Sequence, residues 1–203
     1  LSGAMRALLT GERIALNFLQ RLSGIATGVR RCLPLLAGKP VRLVDTRKTA
    51  PGWRMLEKYA VRTGGAHNHR LALYDGVLIK DNHIAACGGI EPAVQRARRS
   101  ISHLMKIEVE VTTVDEAQEA VAAGAEVILL DNMDLPQIKA AVKAIDGKAL
   151  VEVSGGVTPE ALPQLAASGV DIISSGALTH SAASVDLSMR IEAVAPSGNG
   201  NAA

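Results

Sequence analysis

The chain has 203 residues, enough for one ordinary domain with a sizeable core. Hydrophobic residues make up 48% but aromatics only 2%, so the core must be Ala, Val, Ile and Leu, as suits buried parallel strands. A net charge of +2 and the lack of aromatic platforms exclude a broad nucleic-acid surface, so the basic chemistry must be local.

Residues 2 to 37 read as one long helical region. Ile14, Phe18, Leu22 and Ile25 recur at helical spacing, with Leu8, Leu9, Leu16 and Leu19 around them. Gly24 and Gly28 either break this helix or allow close packing, and Gly38 with Pro40 ends it. From Pro40 onward a unit repeats: an apolar strand, a polar strand end, then a helix. The strands are Val41–Asp45, Gly76–Lys80, Ile107–Val111, Val127–Asp131, Ala149–Ser154 and Val170–Ser174. Thr113 and Glu116 form a capping box, with Gly124 after the last turn. Asp134 caps the next helix, with Pro136 in its first turn and Gly147 behind it. Thr158 and Pro159 open another, which Pro163 distorts and Gly169 closes.

Strand, helix, strand in sequence implies right-handed crossovers and a parallel sheet. Six such strands without a glycine-rich dinucleotide turn favour a barrel over a doubly wound sheet. The expected fold class is α/β: an incomplete, TIM-like parallel barrel of fewer than eight strands, preceded by a long helical segment. Residues 1–39 form that segment and 40–194 the barrel. Residues 195–203, rich in Gly, Asn, Ser and Ala, are expected to be a disordered tail.

Cys32 and Cys87 stand far apart, without disulfide or metal-ligand spacing, and both read as buried thiols in a reducing compartment. No signal peptide is recognisable and no apolar run would span a membrane, so a cytosolic protein is expected. Leu1 does not read as a natural start, so upstream sequence is expected too.

Three clusters of cations and imidazoles sit at the edges of apolar runs. They are Asp45-Thr46-Arg47-Lys48-Thr49, Asn68-His69-Arg70 after Gly64-Gly65-Ala66-His67, and Lys80-Asp81-Asn82-His83. Charged groups where parallel strands end converge on one rim, and a rim dense in Arg, Lys and His suits a small, highly anionic substrate. In Ile107-Glu108-Val109-Glu110-Val111, alternation puts both glutamates on the face opposite the aliphatics. Acids facing a barrel interior are costly unless something uses them. Asp131 brings another acid to the rim. Ser154-Gly155-Gly156 and Ser174-Ser175-Gly176-Ala177 end adjacent strands, where small residues let backbone N–H groups approach a phosphate and a helix start adds its dipole.

The rim shows no Ser-His-Asp motif, no metal cluster and no Walker loop. Cations with two carboxylates suit a reaction that binds polyanions and builds positive charge at carbon, such as displacement at a sugar anomeric centre. Phosphoribosyl transfer from a ribose pyrophosphate fits.

These segments, with Gly11-Glu12-Arg13 through Asn17, in order along nearly the whole chain, resemble quinolinate phosphoribosyltransferase. The resemblance implies a magnesium-dependent reaction of quinolinate with phosphoribosyl pyrophosphate. Its products are nicotinate mononucleotide, pyrophosphate and carbon dioxide, a de novo step toward NAD. By resemblance, Arg47, His69, Arg70 and Lys80 hold the quinolinate carboxylates, and Arg13 reaches the same site from a neighbouring subunit of a homodimer or higher homo-oligomer. Lys48, Glu110 and Asp131 serve as catalytic residues on the ribose pyrophosphate. Glu110 and Asp131 act on magnesium only through water or substrate. Ser154, Gly155, Gly156, Ser175 and Gly176 cradle a phosphate. The family's N-terminal sandwich domain is absent here. Ala66 and His67 depart from its glycine-rich turn, which implies a local backbone adjustment. Competing readings are a paralogue associated with molybdate transport genes, a barrel lyase using Lys48 or Lys80 as a Schiff base, and a non-catalytic assembly domain.

Overall fold

The computed structural model describes residues 1–192, so the expectation for the tail lies outside the described residues. Six strands form one all-parallel sheet: β1 (Arg42–Val44), β2 (Val77–Ile79), β3 (Ile107–Val111), β4 (Val127–Asp131), β5 (Leu150–Ser154) and β6 (Ile172–Ser174). Their order is β1-β6-β5-β4-β3-β2, the cyclic order of a barrel with one seam between β1 and β2. The segment after Gly65 occupies that seam. His67 N–H donates to Leu43 O at 2.9 Å, and Asp45 N–H donates to His67 O at 3.2 Å. From the same segment His69 reaches the inner faces of β3 and β5, so the sheet curls round as the incomplete barrel requires. Neither Ala66 nor His67 needs a positive φ there, which is why the turn tolerates them.

Outside the strands lie α1 (Met5–Cys32), α2 (Arg54–Gly64), α3 (Asp81–Cys87), α4 (Ile90–Ser100), α5 (Val114–Ala122), α6 (Leu135–Ile145), α7 (Leu162–Ala166) and α8 (Ala177–His180). The capping boxes of α5 and α6 form as the sequence indicates. Pro163 does split its helix: a 3-10 turn over Pro159–Ala161 precedes α7, and Thr158 makes no side-chain cap bond. Between strand and helix layers lies the expected aliphatic core, with Ile107, Ile128, Leu130, Ile138, Ile145 and Ile173 fully buried. Each such side chain contributes about 1.5–3 kcal/mol by leaving water.

Two expectations need correction, at α1 and Cys87, and the alternative left open at Gly24 is resolved. The apolar residues of α1 do not form one buried face: Leu16, Ile25 and Val29 are buried, whereas Leu9, Ile14, Phe18 and Leu19 are exposed, because the first half of the helix runs past the barrel. Gly24 serves close packing and not a break, since a Cβ there would lie 2.0 Å from Ala183 O. Cys32 is buried but Cys87, at the end of the short α3, is only half-buried.

Candidate active site

A cleft of about 570 Å³ opens where the strands end. Loops after β1 and β2, the seam, and the ends of β3 to β6 all supply its lining. Arg47, Lys48, His69, Arg70, Lys80, Glu110 and Asp131 line it, as do Ser154, Gly155, Gly156, Ser175 and Gly176. Arg13 does not; it is exposed on the unpacked half of α1.

The cations are aimed by bonds behind them. Arg54 donates to Thr49 Oγ1 at 3.1 Å, to Arg47 O at 3.3 Å and to Leu71 O at 3.3 Å, joining the first cationic loop to the seam. Thr179 Oγ1 donates to Lys48 O at 2.8 Å. Buried Glu57 accepts from Arg21 at 2.9 Å and from Ala50 N–H at 3.2 Å, tying α1 to the same loop. Arg70 donates to Gly76 O at 3.0 Å; its burial and the neighbouring Arg47 guanidinium push its pKa below the usual arginine value. Arg47 Nε is buried without a hydrogen-bond partner among the described residues. Two guanidiniums close enough to repel, one with an idle buried donor, are arranged for an anion.

Opposite them Lys80 is ion-paired with Glu110. Asp131 accepts from Asn132 Nδ2 at 2.8 Å. At the β5 turn, Gly155 has φ 92°, and a Cβ would lie 2.2 Å from Asn132 Oδ1, so the backbone there can only be glycine. The helices behind the two glycine turns are a three-residue 3-10 turn and the four-residue α8. The expected dipole contribution is therefore small, because a macrodipole needs length, and backbone N–H groups must carry any phosphate contact.

A second layer of charge is more deeply buried, and its His69 and Glu152 also line the cleft. Asp45, fully buried, accepts from Lys58 Nζ at 2.5 Å, Asn68 Nδ2 at 2.7 Å and His69 N–H at 2.8 Å. His69 Nε2 lies 3.1 Å from Glu108 and 3.5 Å from Glu152, both buried. Burial disfavours the imidazolium, but the hydrogen bond to Glu108 and the charges of Glu152 and Glu108 outweigh it and raise the His69 pKa. Burial and the neighbouring Glu108 push Glu152 up to about 7. Donor atoms of the three residues lie within 4.8 Å of one another, a spacing that suits a small cation or a shared proton.

The sequence reasoning passed over Glu152, His180 and the Asp45–Lys58 pair. Glu152 was findable, since Val151-Glu152-Val153 alternates as β3 does. His180 also lines the cleft, one turn past Gly176, and no local pattern announces it. For magnesium the donor set fits: two half-buried carboxylates on a cationic rim leave coordination places for water and phosphate oxygens.

Residues 25–190 match the family model described as quinolinate phosphoribosyl transferase, C-terminal domain. A probable nicotinate-nucleotide pyrophosphorylase (carboxylating) of Bacillus subtilis is 51% identical over 191 residues, covering 94% of this chain and 66% of that protein. The nicotinate-nucleotide pyrophosphorylase (carboxylating) of Homo sapiens is 42% identical over 201 residues, covering 96% and 68%. The crystal structure of NadC from Streptococcus pyogenes superposes with a TM-score of 0.88 at 46% identity, covering 93% of this chain and 66% of that one. The chain thus spans about two thirds of the length of these relatives.

Proposed function

The chain belongs to the quinolinate phosphoribosyl transferase family, and from that premise we propose that it is the catalytic barrel of a decarboxylating phosphoribosyltransferase. Quinolinate and phosphoribosyl pyrophosphate are its substrates, and nicotinate mononucleotide, pyrophosphate and carbon dioxide its products, in a cytoplasmic step of NAD biosynthesis. The observation that carries this reading is the idle, buried Arg47 Nε beside Arg70 on a rim that also holds Glu110 and Asp131.

In this reading Arg47, Arg70 and Lys80 take the two carboxylates of the pyridine, since guanidinium forks match carboxylates in pairs. Glu110 and Asp131 face the ribose and stabilise positive charge that grows at its anomeric carbon as the bond to pyrophosphate breaks. Lys48 draws the departing pyrophosphate, and the glycine turns hold the ribose phosphate. Glu110 and Asp131 would hold magnesium through water or substrate, and the ion would supply positive charge to the leaving pyrophosphate. The ring nitrogen becomes cationic once glycosylated. The carbon–carbon bond to the adjacent carboxylate then breaks, its electron pair stays on the ring, and a proton replaces carbon dioxide. The ion pair with Glu110 holds Lys80 as an ammonium and disfavours it as a Schiff-base amine, which leaves Lys48 as the lysine that the trapping experiment must address.

Arg13 completes a partner's site in a homodimer or larger homo-oligomer. Its exposure on α1, away from its own cleft, supports this. Mixing full-length Arg13→Ala and Lys48→Ala proteins should recover about a quarter of wild-type activity after subunit exchange. Among the described residues no helix is long and apolar enough to cross a membrane.

The deciding assay follows label from carboxyl-labelled quinolinate in the full-length protein. Release as carbon dioxide should require both phosphoribosyl pyrophosphate and magnesium. Turnover without the ribose donor, or borohydride trapping of a lysine adduct, would sink the reading.

A further inference from the structure

We propose that Glu152 works as a neutral acid, a positioning residue whose proton holds Glu108, His69 and the Arg70 backbone in register beneath the cleft. The role of Arg70 as a carboxylate ligand rests on the proposed function; the protonation of Glu152 does not.

The argument is one of hydrogen counting. His69 Nδ1 accepts the Arg70 backbone N–H at 2.8 Å. A ring nitrogen that accepts carries no hydrogen, so the imidazole is neutral with its hydrogen on Nε2. That hydrogen faces Glu108 Oε2 at 3.1 Å and Glu152 Oε1 at 3.5 Å, and it cannot serve both. Glu108 Oε1 and Glu152 Oε1 are buried and without a hydrogen-bond partner among the described residues. Two ionised carboxylates facing one neutral ring would leave two buried charges uncompensated. A single proton between the carboxyls removes one charge and supplies the missing donor. Glu152 is its natural seat, being the more buried of the two, at 2% exposure against 7%, and the farther from Nε2–H.

The surroundings agree. Ser174, facing from β6, reaches Val153 O at 3.4 Å and also interacts with Glu152, where it and His69 favour the carboxylate but do not offset burial and Glu108. Lys58, whose charge acts on His69, is committed to Asp45. Arg42, Arg62 and His67 line a second opening of about 520 Å³ at the other end of the barrel, which reaches His69, Glu108 and Glu152 and gives their proton a route to solvent apart from the cleft. The upward displacement of the Glu152 pKa to about 7, by burial and then by Glu108, is the expected sign. A second proton on the ring would sit on Nδ1 and collide with the Arg70 N–H, so raising His69 alone does not satisfy the cluster.

Glu152→Gln tests this, because the amide has the shape and neutrality of the protonated acid. In the full-length protein, infrared difference spectra of wild type minus E152Q at neutral pH should show the carbonyl band of a protonated carboxyl. Raising the pH should abolish it, and its absence at neutral pH would overturn the proposal. Calorimetric titration with quinolinate should find E152Q within about twofold of wild type and E152A about tenfold weaker. Wild-type affinity should fall as pH rises through the titration of Glu152, and that of E152Q should not. If E152Q binds as poorly as E152A, a carboxylate is required and the proposal fails. Stoichiometric binding of zinc alone, lost in E152Q, would put a metal in place of the proton and also overturn it. If wild type binds no quinolinate, the functional reading fails, while the infrared band still decides Glu152 and does so without the alanine variant.

Discussion

Glu108 and Glu110 stand two residues apart on one face of β3, yet they live in different regions of the molecule. Glu110 is half-buried on the rim, ion-paired with Lys80 where the cleft opens. Glu108 is buried one layer below, against His69 and Glu152. Around Glu110 the polar groups keep open valences, such as the idle Arg47 Nε. Around buried Asp45 the partners come from within the chain: an ammonium, an amide and a backbone N–H. The difference teaches how one sheet serves two ends. Interior polar groups fix geometry and cost stability when disturbed, whereas rim groups hold back capacity for a ligand and cost function when disturbed.

The contrast can be broken by exchanging the currencies. Asp45→Ala should have the largest effect, about 3–5 kcal/mol of unfolding free energy, because it strands the buried Lys58 charge. Urea denaturation measures it, and a loss below about 1 kcal/mol, the worth of an exposed pair, would erase the distinction. Glu110→Gln should instead leave the urea midpoint nearly unchanged and lower kcat about a hundredfold, with little change in KM for quinolinate. Steady-state kinetics on the full-length protein decide it.

Arg70→Lys sharpens the comparison, since Arg70 spans both regions. The charge survives but the planar fork is lost, so quinolinate binding should weaken about tenfold and nicotinate, with one carboxylate, less. Equal losses in calorimetry would argue against a two-carboxylate clamp. The smallest effect belongs to Arg98 and Glu126, an ion pair on the outer surface, about a third exposed on both sides. Burial alone would raise the Glu126 pKa, but the hydrogen bonds from Arg98 and the Ile107 N–H hold it below the usual range. A depressed carboxyl stabilises the fold above its ordinary pKa and loses that contribution as pH falls through the folded value. Arg98→Ala should therefore cost under about 1 kcal/mol at neutral pH and less in acid, read from thermal unfolding across that range.

The strands were legible because β4 reads as an aliphatic run that ends in Asp131 at the rim, and β3 alternates aliphatics with glutamates. The capping boxes were legible because Thr113 with Glu116 and Asp134 with Gln137 are local events. Helices α2 and α4 follow from the strand-helix repeat, but their bounds were not legible. Their apolar stripes are narrow in mostly polar segments, with Glu57 and Lys58 on the buried face of one and only Ile90, Ala93 and Val94 in the other, and neither opens on a side-chain cap. The rim clusters announced themselves because cations interrupt apolar runs. The interior cluster did not, because its meaning depends on His69 folding back through the seam onto two strands that lie far along the chain. No window of sequence contains that closure.

The stacking of Phe18 on Trp53 gives this molecule an optical gauge. The two rings lie 4.4 Å apart at an interplanar angle of 9°, and they are the one phenylalanine and the one tryptophan in the chain. Trp53 opens α2, just beyond the loop that bears Arg47 and Lys48, while Phe18 belongs to the projecting half of α1. Indole emission therefore has a single origin and reads the spacing between helix and loop. A change in its wavelength or polarisation on adding an anion would clock the motion of that loop directly, with no extrinsic dye and no second chromophore of its kind to subtract.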